Sequence, residues 1–539
     1  MSDKPKKIII GAETEYGIFA TKNGRILDNE AFGVVREASN VIKDFFLRPL
    51  EGISDTQEHE RLDNVSDEDF VRELLQSETN YGERQRRGLT GFVLSNGCRF
   101  YVDMGHPEYS IPETTNPMDA LIAQKAGDKI VEICRQLAEE KLNNVSIRLD
   151  KNNSDGKGNS YAAHENYSLM EKTFQEIASY YHKGDLEHIV MTFFATRQVV
   201  TGSGKVGYET GKPVPYQISQ RADFIETKKS INTIANRGII NLRDHSYAGH
   251  QYPRRLHVIC GDGNMSELSM YLKFGATALV LMMLESGFIQ SEGKSILVPM
   301  RNPVRSYRNV SRDLKLDHKI FFEDGSKITA LSLQEEFCTL AKAFVYGNKL
   351  DPVWRDVVDK WAKVLQGLAG NRNSDEWAGN LDWVKKETVL KRHQEKKRVL
   401  PLHHTCRMID LQYHNTNPAK SIYWRLAERG DILLLASKTD IEKAMHEPPS
   451  DTRAWFRGQT VKQFRDSLHS IGWQYVSFAD DIILMSDPFS GSREATHYLF
   501  GGQPSPIEFV DRILEAIEQK KNGLDGFQIE DRGRRRNER

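Results

Sequence analysis

Two short segments place acidic residues at alternate positions within strand-like sequence, and this alternation constrains the fold more than any other feature of the chain. Gly11-Ala-Glu-Thr-Glu-Tyr-Gly17 carries Glu13 and Glu15. Arg99-Phe-Tyr-Val-Asp-Met-Gly-His-Pro-Glu108 carries Arg99, Tyr101 and Asp103, with Glu108 just beyond a His-Pro corner. Side chains two apart on a strand share one face, so each segment turns its charges to one side of a sheet. Carboxylates gathered on one face cannot leave water unpaired: they stay wet, are neutralised by Arg or Lys, or surround a hard cation. Taken singly, Glu13 and Glu15 fit a solvated strand edge, and Asp103 fits a salt bridge to Arg99. Taken with Tyr101 and Glu108, the set is suited to holding Mg²⁺ through one or two carboxylates while leaving positions for phosphate oxygens.

The surrounding sequence shows how such a face is built. Residues 7–10 begin a buried strand that delivers Glu13 and Glu15. Residues 92–94, Ser95-Asn96-Gly97 and residues 99–103 read as a hairpin, with Asn-Gly supplying the positive φ angles of the turn. Residues 51–90 interrupt this order as a charged, mobile insertion holding one short capped helix after Ser66. Asn116 and Pro117 form an N-cap and first helical position, followed by an apolar stripe of Ile122, Ala126, Ile130, Ile133 and Leu137. A strand over 145–149 leads into a long polar loop over 151–166. A strand over 256–260 then precedes a helix over about 267–285, whose apolar face is wide enough to be packed on both sides. Strands and helices separated by long polar loops predict an α+β fold, with helices packed on an antiparallel sheet. The division expected is a catalytic domain over 1–435, a small C-terminal domain over 436–520 and a charged, disordered tail over 521–539. Strands near 473–478 and 482–485 and a helix over 506–520 make up the smaller unit.

Charge totals narrow the function classes. With 74 Lys+Arg against 75 Asp+Glu, the net charge is −1, which removes any global electrostatic case for nucleic acid or an anionic membrane. Charge must act locally. The 5 cysteines are scattered and never form a CxxC pair, as expected of a reducing cytoplasm rather than a disulfide framework or zinc site. The N-terminus lacks a signal-peptide apolar region, and the longest apolar run, 276–284, is short of a membrane span. The expectation is a soluble cytoplasmic protein.

Arg99, Arg221, Arg243, Arg254 and Arg255 are candidates for clamping phosphate, since a guanidinium fork matches it in a bidentate way. His164 and His257 fit nitrogen ligands or proton carriers, although a lone histidine beside a strand is more often a satisfied interior residue. Glu267 fits a ligand or an N-terminal helix charge. Thr201-Gly-Ser-Gly-Lys-Val-Gly207 matches GxGxxG in form only. No helix can start in the residues that follow, and Val206 stands where a Walker loop needs Ser or Thr, which leaves a flexible loop near anions. His403-His404 has no paired ligand nearby.

The motifs GAETEYG, NGCRFYVDMGHPEYS, KNNSDGKGNSYAAHENY, TRQVVTGSGKVG, SQRADFIE, RGIINLRD, RRLHVICGDGNMSE, DLQYH and DTRAWFRG occur in that order. Together they resemble the family containing the Pup ligase and the Pup deamidase/depupylase. The resemblance implies a glutamine synthetase-like fold, a curved antiparallel sheet cradling ATP and Mg²⁺, with a small C-terminal domain. It implies Asp103 as the catalytic residue, Glu13, Glu15, Tyr101, Glu108 and His257 around the metal, and Arg99, Arg243 and Trp473 at ATP. His164, Arg221 and Arg255 would line the same pocket. The partners implied are a Pup-like modifier and its lysine-linked conjugates, with a functional link to a bacterial proteasome system. The insertion at 51–90, Asp-Gly-Lys-Gly158 and the form of the 201–207 loop are more similar to the depupylase branch, so isopeptide cleavage is expected. Ligation of the modifier is the first alternative and a non-catalytic adaptor the second. His245-Ser-Tyr-Ala248 departs from the family's usual Glu-Pro-His-Ala at that place.

Overall fold

The alternating acidic segments lie side by side in a nine-stranded sheet. Its order is Thr227–Ser230, Gly238–Asn241, Arg254–Val258, Ala163–Leu169, Ile10–Glu15, His106–Ser110, Arg99–Asp103, Gly91–Val93, Ile53–Asp55. In this computed structural model the described residues are 5–23, 25–26, 53–55, 91–103, 106–142, 144–178, 186–242, 253–478 and 481–531. Arg243, the 245–248 departure and the proposed helix after Ser66 lie outside them. All neighbours in the sheet pair antiparallel except Thr227–Ser230 with Gly238–Asn241, which is parallel.

One sheet face is apolar and carries the helices. Ile10, Ala12, Phe100, Tyr109, Tyr167, Leu256 and Val258 are buried in the large core, with the helices Pro117–Lys141 and Glu267–Glu285. Asn116 caps the first helix, accepting from the backbone N–H of Met118 at 3.1 Å and of Asp119 at 3.0 Å. The buried face of that helix is rotated from the expected stripe, through Ala123, Ala126, Ile130, Cys134 and Ala138, and leaves Ile133 36% exposed. Small residues set this rotation, because a Cβ at Gly127 would lie 2.3 Å from the Tyr109 ring. The helix Glu267–Glu285 is long and apolar enough to cross a membrane, yet its apolar window is wholly buried in the protein.

Several local expectations change in three dimensions. In the hairpin turn Gly97 alone takes a positive φ, +78°, and its N–H donates to the Leu94 carbonyl at 2.8 Å. Asn96 acts through its side chain instead, donating to Tyr109 Oη at 3.1 Å and to the Ala444 carbonyl at 3.0 Å. The polar loop expected over 151–166 ends early, because Ala163–Leu169 pairs with both Ile10–Glu15 and Arg254–Val258. The glycine-rich segment is packed inside the protein, and the Gly204 carbonyl accepts from Gln220 and Lys386. Its Lys205–Val206 forms a short hairpin with Tyr216–Gln217 rather than an anion loop.

A second core contains Phe456, Phe464, Ile483, Phe509, Ile513 and Phe527, under a four-stranded sheet that includes Asp481–Met485 and Phe527–Asp531. The tail expected to be disordered from 521 therefore contains a strand: Phe527 and Ile529, two apart, supply the apolar side that pairing buries. Ile441 and Met445 belong to the large core, so the start of the second core lies beyond residue 436. All 5 cysteines are buried and free.

Candidate active site

Strand register, more than proximity in sequence, assembles the polar face. Glu13 lies opposite both Ser110 and His164, Glu15 opposite Glu108, Tyr101 opposite Glu108, Arg99 opposite Ser110, Asp103 opposite His106 and His257 opposite Asn166. Directly paired residues project to the same side. Five strands thus bring Arg99, Tyr101, Asp103, Glu108, Glu13, Glu15, His164 and His257 onto one face.

Two ligand sets form on it. Donor atoms of Glu15, Asp103 and Glu108 lie within 4.8 Å of one another, as do those of Glu13, His164 and His257. Their electrostatics are opposite. Burial alone would raise Glu13, but its hydrogen bond from His164 at 3.2 Å and the nearby charges of Arg255 and His257 hold it well below the ordinary carboxylate range. Asn166, a residue the sequence reading left in a loop, adds a 3.0 Å hydrogen bond to Glu13. Glu108 is raised well above the ordinary range by burial, then by Asp103, Glu15 and Glu13. Glu15 is raised by burial and by Asp103, against the opposing effects of His164, the Ala162 N–H and Arg221. Burial and mutual repulsion thus raise both Glu15 and Glu108. Three hard oxygen donors fit Mg²⁺, whereas one carboxylate and two imidazoles make a softer set.

Tyr101 has a different part from direct ligation. Burial and the surrounding carboxylates keep its phenol protonated, and it donates to Glu108 at 2.5 Å, orienting that carboxylate. The Arg99 guanidinium lies 4.6 Å from the Tyr101 ring centroid. Arg255 reaches Glu13 at 3.5 Å and donates to His257 Nδ1 at 3.2 Å. Arg221 is not a phosphate clamp: it is buried, and its guanidinium donates to Ser160 Oγ at 2.5 Å and the Ile259 carbonyl at 3.0 Å. Arg254 pairs with Glu171 at 2.5 Å. Glu267 is a structural acceptor for the N–H groups of Leu435 and Ala436.

Beyond Glu13 the same face runs into an apolar cavity. Sheet residues Ile9, Gly11 and Ile111 line one side, and Arg453, Trp473 and Pro488 the other. Glu113 also lines it and forms ion pairs with Arg453 at 2.9 Å and Arg457 at 2.5 Å. Glu113, Arg453 and Arg457 were not singled out from sequence. Arg453 and Arg457 do fall in the DTRAWFRG motif, and their i, i+4 spacing in a helix places both on one side.

A carboxylate set at one end of a sheet face and an apolar cavity at the other occur here on an α+β architecture with a mostly antiparallel sheet. The chain belongs to the Pup-ligase protein family, whose sequence profile matches residues 8–477. It is 40% identical over 396 residues to a depupylase of Acidothermus cellulolyticus, covering 72% of this chain and 76% of that one. Among solved structures, the complex of the prokaryotic ubiquitin-like protein Pup with its ligase PafA aligns with a TM-score of 0.73 at 25% identity, over 97% of this chain and 94% of that one. PafA in complex with ADP aligns with a TM-score of 0.68 at 27% identity, over 84% and 94%. The chain is thus similar to enzymes of the Pup system with opposite activities.

The raised Glu108 yields a direct test of cation binding. Because the Glu108 carboxyl is raised above the ordinary carboxylate range, Mg²⁺ binding there should release protons over the pH range in which it is protonated and tighten as pH rises. Calorimetric titration in buffers of different ionisation enthalpy measures the release, which Glu108→Gln should remove. Binding with no proton release in the unsubstituted protein would contradict the assignment.

Proposed function

We propose that this chain is an ATP- and Mg²⁺-dependent depupylase. It hydrolyses the isopeptide bond between the C-terminal glutamate side chain of a Pup-like modifier and a target lysine, and deamidates a C-terminal glutamine where the modifier carries one. The observation that carries this reading is Asp103 beside Glu15 and Glu108, at the end of a face whose other end opens into an apolar cavity. The 40% identity to a depupylase supports the direction of the reaction. A cytoplasmic setting and a proteasome-linked pathway belong to the same reading.

The residues divide the work along the face. Glu15 and Glu108 would hold Mg²⁺, which when bound supplies positive charge to phosphate oxygens and to charge developing at the scissile carbonyl. Tyr101 keeps Glu108 oriented. Trp473 and the cavity would hold the base of the nucleotide, with Arg99 and Arg255 as cations along its phosphates. Asp103 either attacks the side-chain carbonyl, giving an anhydride that water then hydrolyses to free Asp103 and the modifier's carboxylate, or takes a proton from a water that attacks in its place. In both routes the C–N bond breaks and the lysine leaves as an amine, its nitrogen gaining a proton from solvent or from Asp103. Nucleotide is a bound cofactor in this scheme and is not consumed in step with cleavage.

The likeness to PafA supports a second reading, ligation, in which ATP activates the glutamate. Two incubations with ATP and Mg²⁺, one with a purified Pup–lysine conjugate and one with free modifier and a lysine-bearing target, each followed by mass analysis, separate the two. Hydrolysis releases free modifier and unmodified target. Ligation instead consumes modifier and target, with one ADP per conjugate formed. Conjugate bound but left intact, with no new conjugate made, would leave only an adaptor role.

A further inference from the structure

We infer that Arg457 is a positioning residue for the base-binding wall of the nucleotide site, acting through Trp473 with Glu113 as its counter-charge. This rests on the nucleotide reading above and goes beyond it, since Arg457 is not itself part of the cavity wall. It is fully buried at 0% exposure, in the helix Arg453–Phe464.

Arg457 grips Trp473 in two ways. Its Nη1 donates to the Trp473 carbonyl at 2.8 Å, and the guanidinium carbon lies over the indole at 4.8 Å from the ring centroid. A cation over an indole is attracted by the ring's quadrupole, and Arg is the residue whose plane can stack there while its edge still donates hydrogen bonds. One face of the Trp473 ring is taken by Arg457, and the half-buried side chain lines the cavity.

The rest of the guanidinium is anchored to the sheet side of the same cavity. Nη1 and Nη2 donate to the two Glu113 oxygens at 3.1 and 2.5 Å, and Nη2 donates to the Gly97 carbonyl at 2.7 Å. Glu113 also accepts from Arg453 Nε at 2.9 Å, so one buried carboxylate ties two cations of the C-terminal part to the sheet. Gly97 belongs to the turn before Arg99–Asp103, the strand that carries Arg99. Arg457 thereby sets the distance between the indole and the strands that bear the polar face. Ile9, Ile111 and Pro488 join Trp473 in the cavity wall, so a base held there would be gripped largely by shape and stacking, and the position of this ring bears directly on affinity.

The test compares ATP with inorganic tripolyphosphate, which carries the phosphates without a base, by calorimetry on the full chain with Mg²⁺. Arg457→Met should weaken ATP about tenfold or more and leave tripolyphosphate within about twofold, as should Trp473→Ala. The double variant should be no weaker than either single one, because both act through one ring. Trp473→Phe should retain most of the ATP affinity. Arg457→Lys keeps a charge opposite Glu113 but loses the planar fork, so it tests the same point in a fold-preserving background and should lose about threefold or more for ATP. Unchanged ATP affinity in Arg457→Lys, additive losses in the double variant, or equal losses for both probes would overturn the inference. Unsubstituted protein that binds tripolyphosphate but not ATP would also overturn it. Binding of neither probe would refute the nucleotide reading itself.

Discussion

Asp103→Asn should lower cleavage of a modifier–lysine conjugate by about 10³-fold or more while ATP affinity stays within about threefold. The substitution keeps the shape of the side chain and removes its ability to attack a carbonyl or accept a proton. Asp103 stands at the end of its strand with Glu15 and Glu108 as neighbours, whereas the apolar cavity lies past Glu13 at the other end of the face. Chemistry and nucleotide binding are therefore separable by one residue. A second consequence follows from like-charge repulsion: with the Asp103 charge gone, Glu108 and Glu15 should both ionise more readily, since Asp103 pushes each of them up. Single-turnover cleavage followed by mass analysis, beside calorimetry of ATP binding, measures both parts. A variant that keeps cleaving the conjugate would remove Asp103 from the chemistry.

The largest effect on stability is expected at Glu165, on the opposite side of the same strand from His164 and Asn166. It is fully buried and holds Arg197 through two bonds, Nη2 to Oε1 at 2.5 Å and Nη1 to Oε2 at 2.7 Å, while Tyr167 Oη donates to Oε2 at 2.7 Å. Removing one partner of such a pair strands a buried charge, so Glu165→Gln should cost about 3–5 kcal/mol, read as a lower urea midpoint. Glu165→Leu combined with Arg197→Met should recover much of that loss, because no charge is then left without a partner. The pH dependence has a fixed sign: burial opposes ionisation of Glu165, but Arg197 outweighs it and the folded-state pKa is lowered. Its contribution is therefore present above the unfolded carboxylate pKa and lost as pH falls through the folded value. A double variant no more stable than Glu165→Gln alone would show that packing, rather than the orphaned charge, dominates.

What could be read locally and what could not divide along a physical line. Asn116-Pro117 starts a helix because capping and fixed φ are properties of adjacent residues, and the helix Glu267–Glu285 is written in its own run of apolar residues. The alternation of Glu13 with Glu15, and of Arg99, Tyr101 and Asp103, was equally local. His164 and Asn166 were harder, because a strand buried against helices on one side and facing a polar site on the other carries polar residues where a strand pattern expects apolar ones. Phe527–Asp531 hid for a related reason: two apolar side chains in a charged segment become a strand only when Asp481–Met485 offers its edge. Arg221 shows the converse, since its sequence context gave no sign that its donors face internal acceptors.

The residue types alone determined which chemistry was open to this protein: hard oxygen ligands in alternation, guanidinium groups to meet phosphate, and no cysteine framework. Tertiary structure decided which of those residues act together. The pairing of Glu15 with Glu108 and of Glu13 with His164, and the grip of Arg457 on Trp473 and Glu113, join segments far apart in the chain. Register between strands and burial by distant helices set these contacts. Glu108, raised by burial and neighbouring carboxylates, and Glu13, lowered by His164 and Arg255, acquire their properties from neighbours that their own segments do not contain.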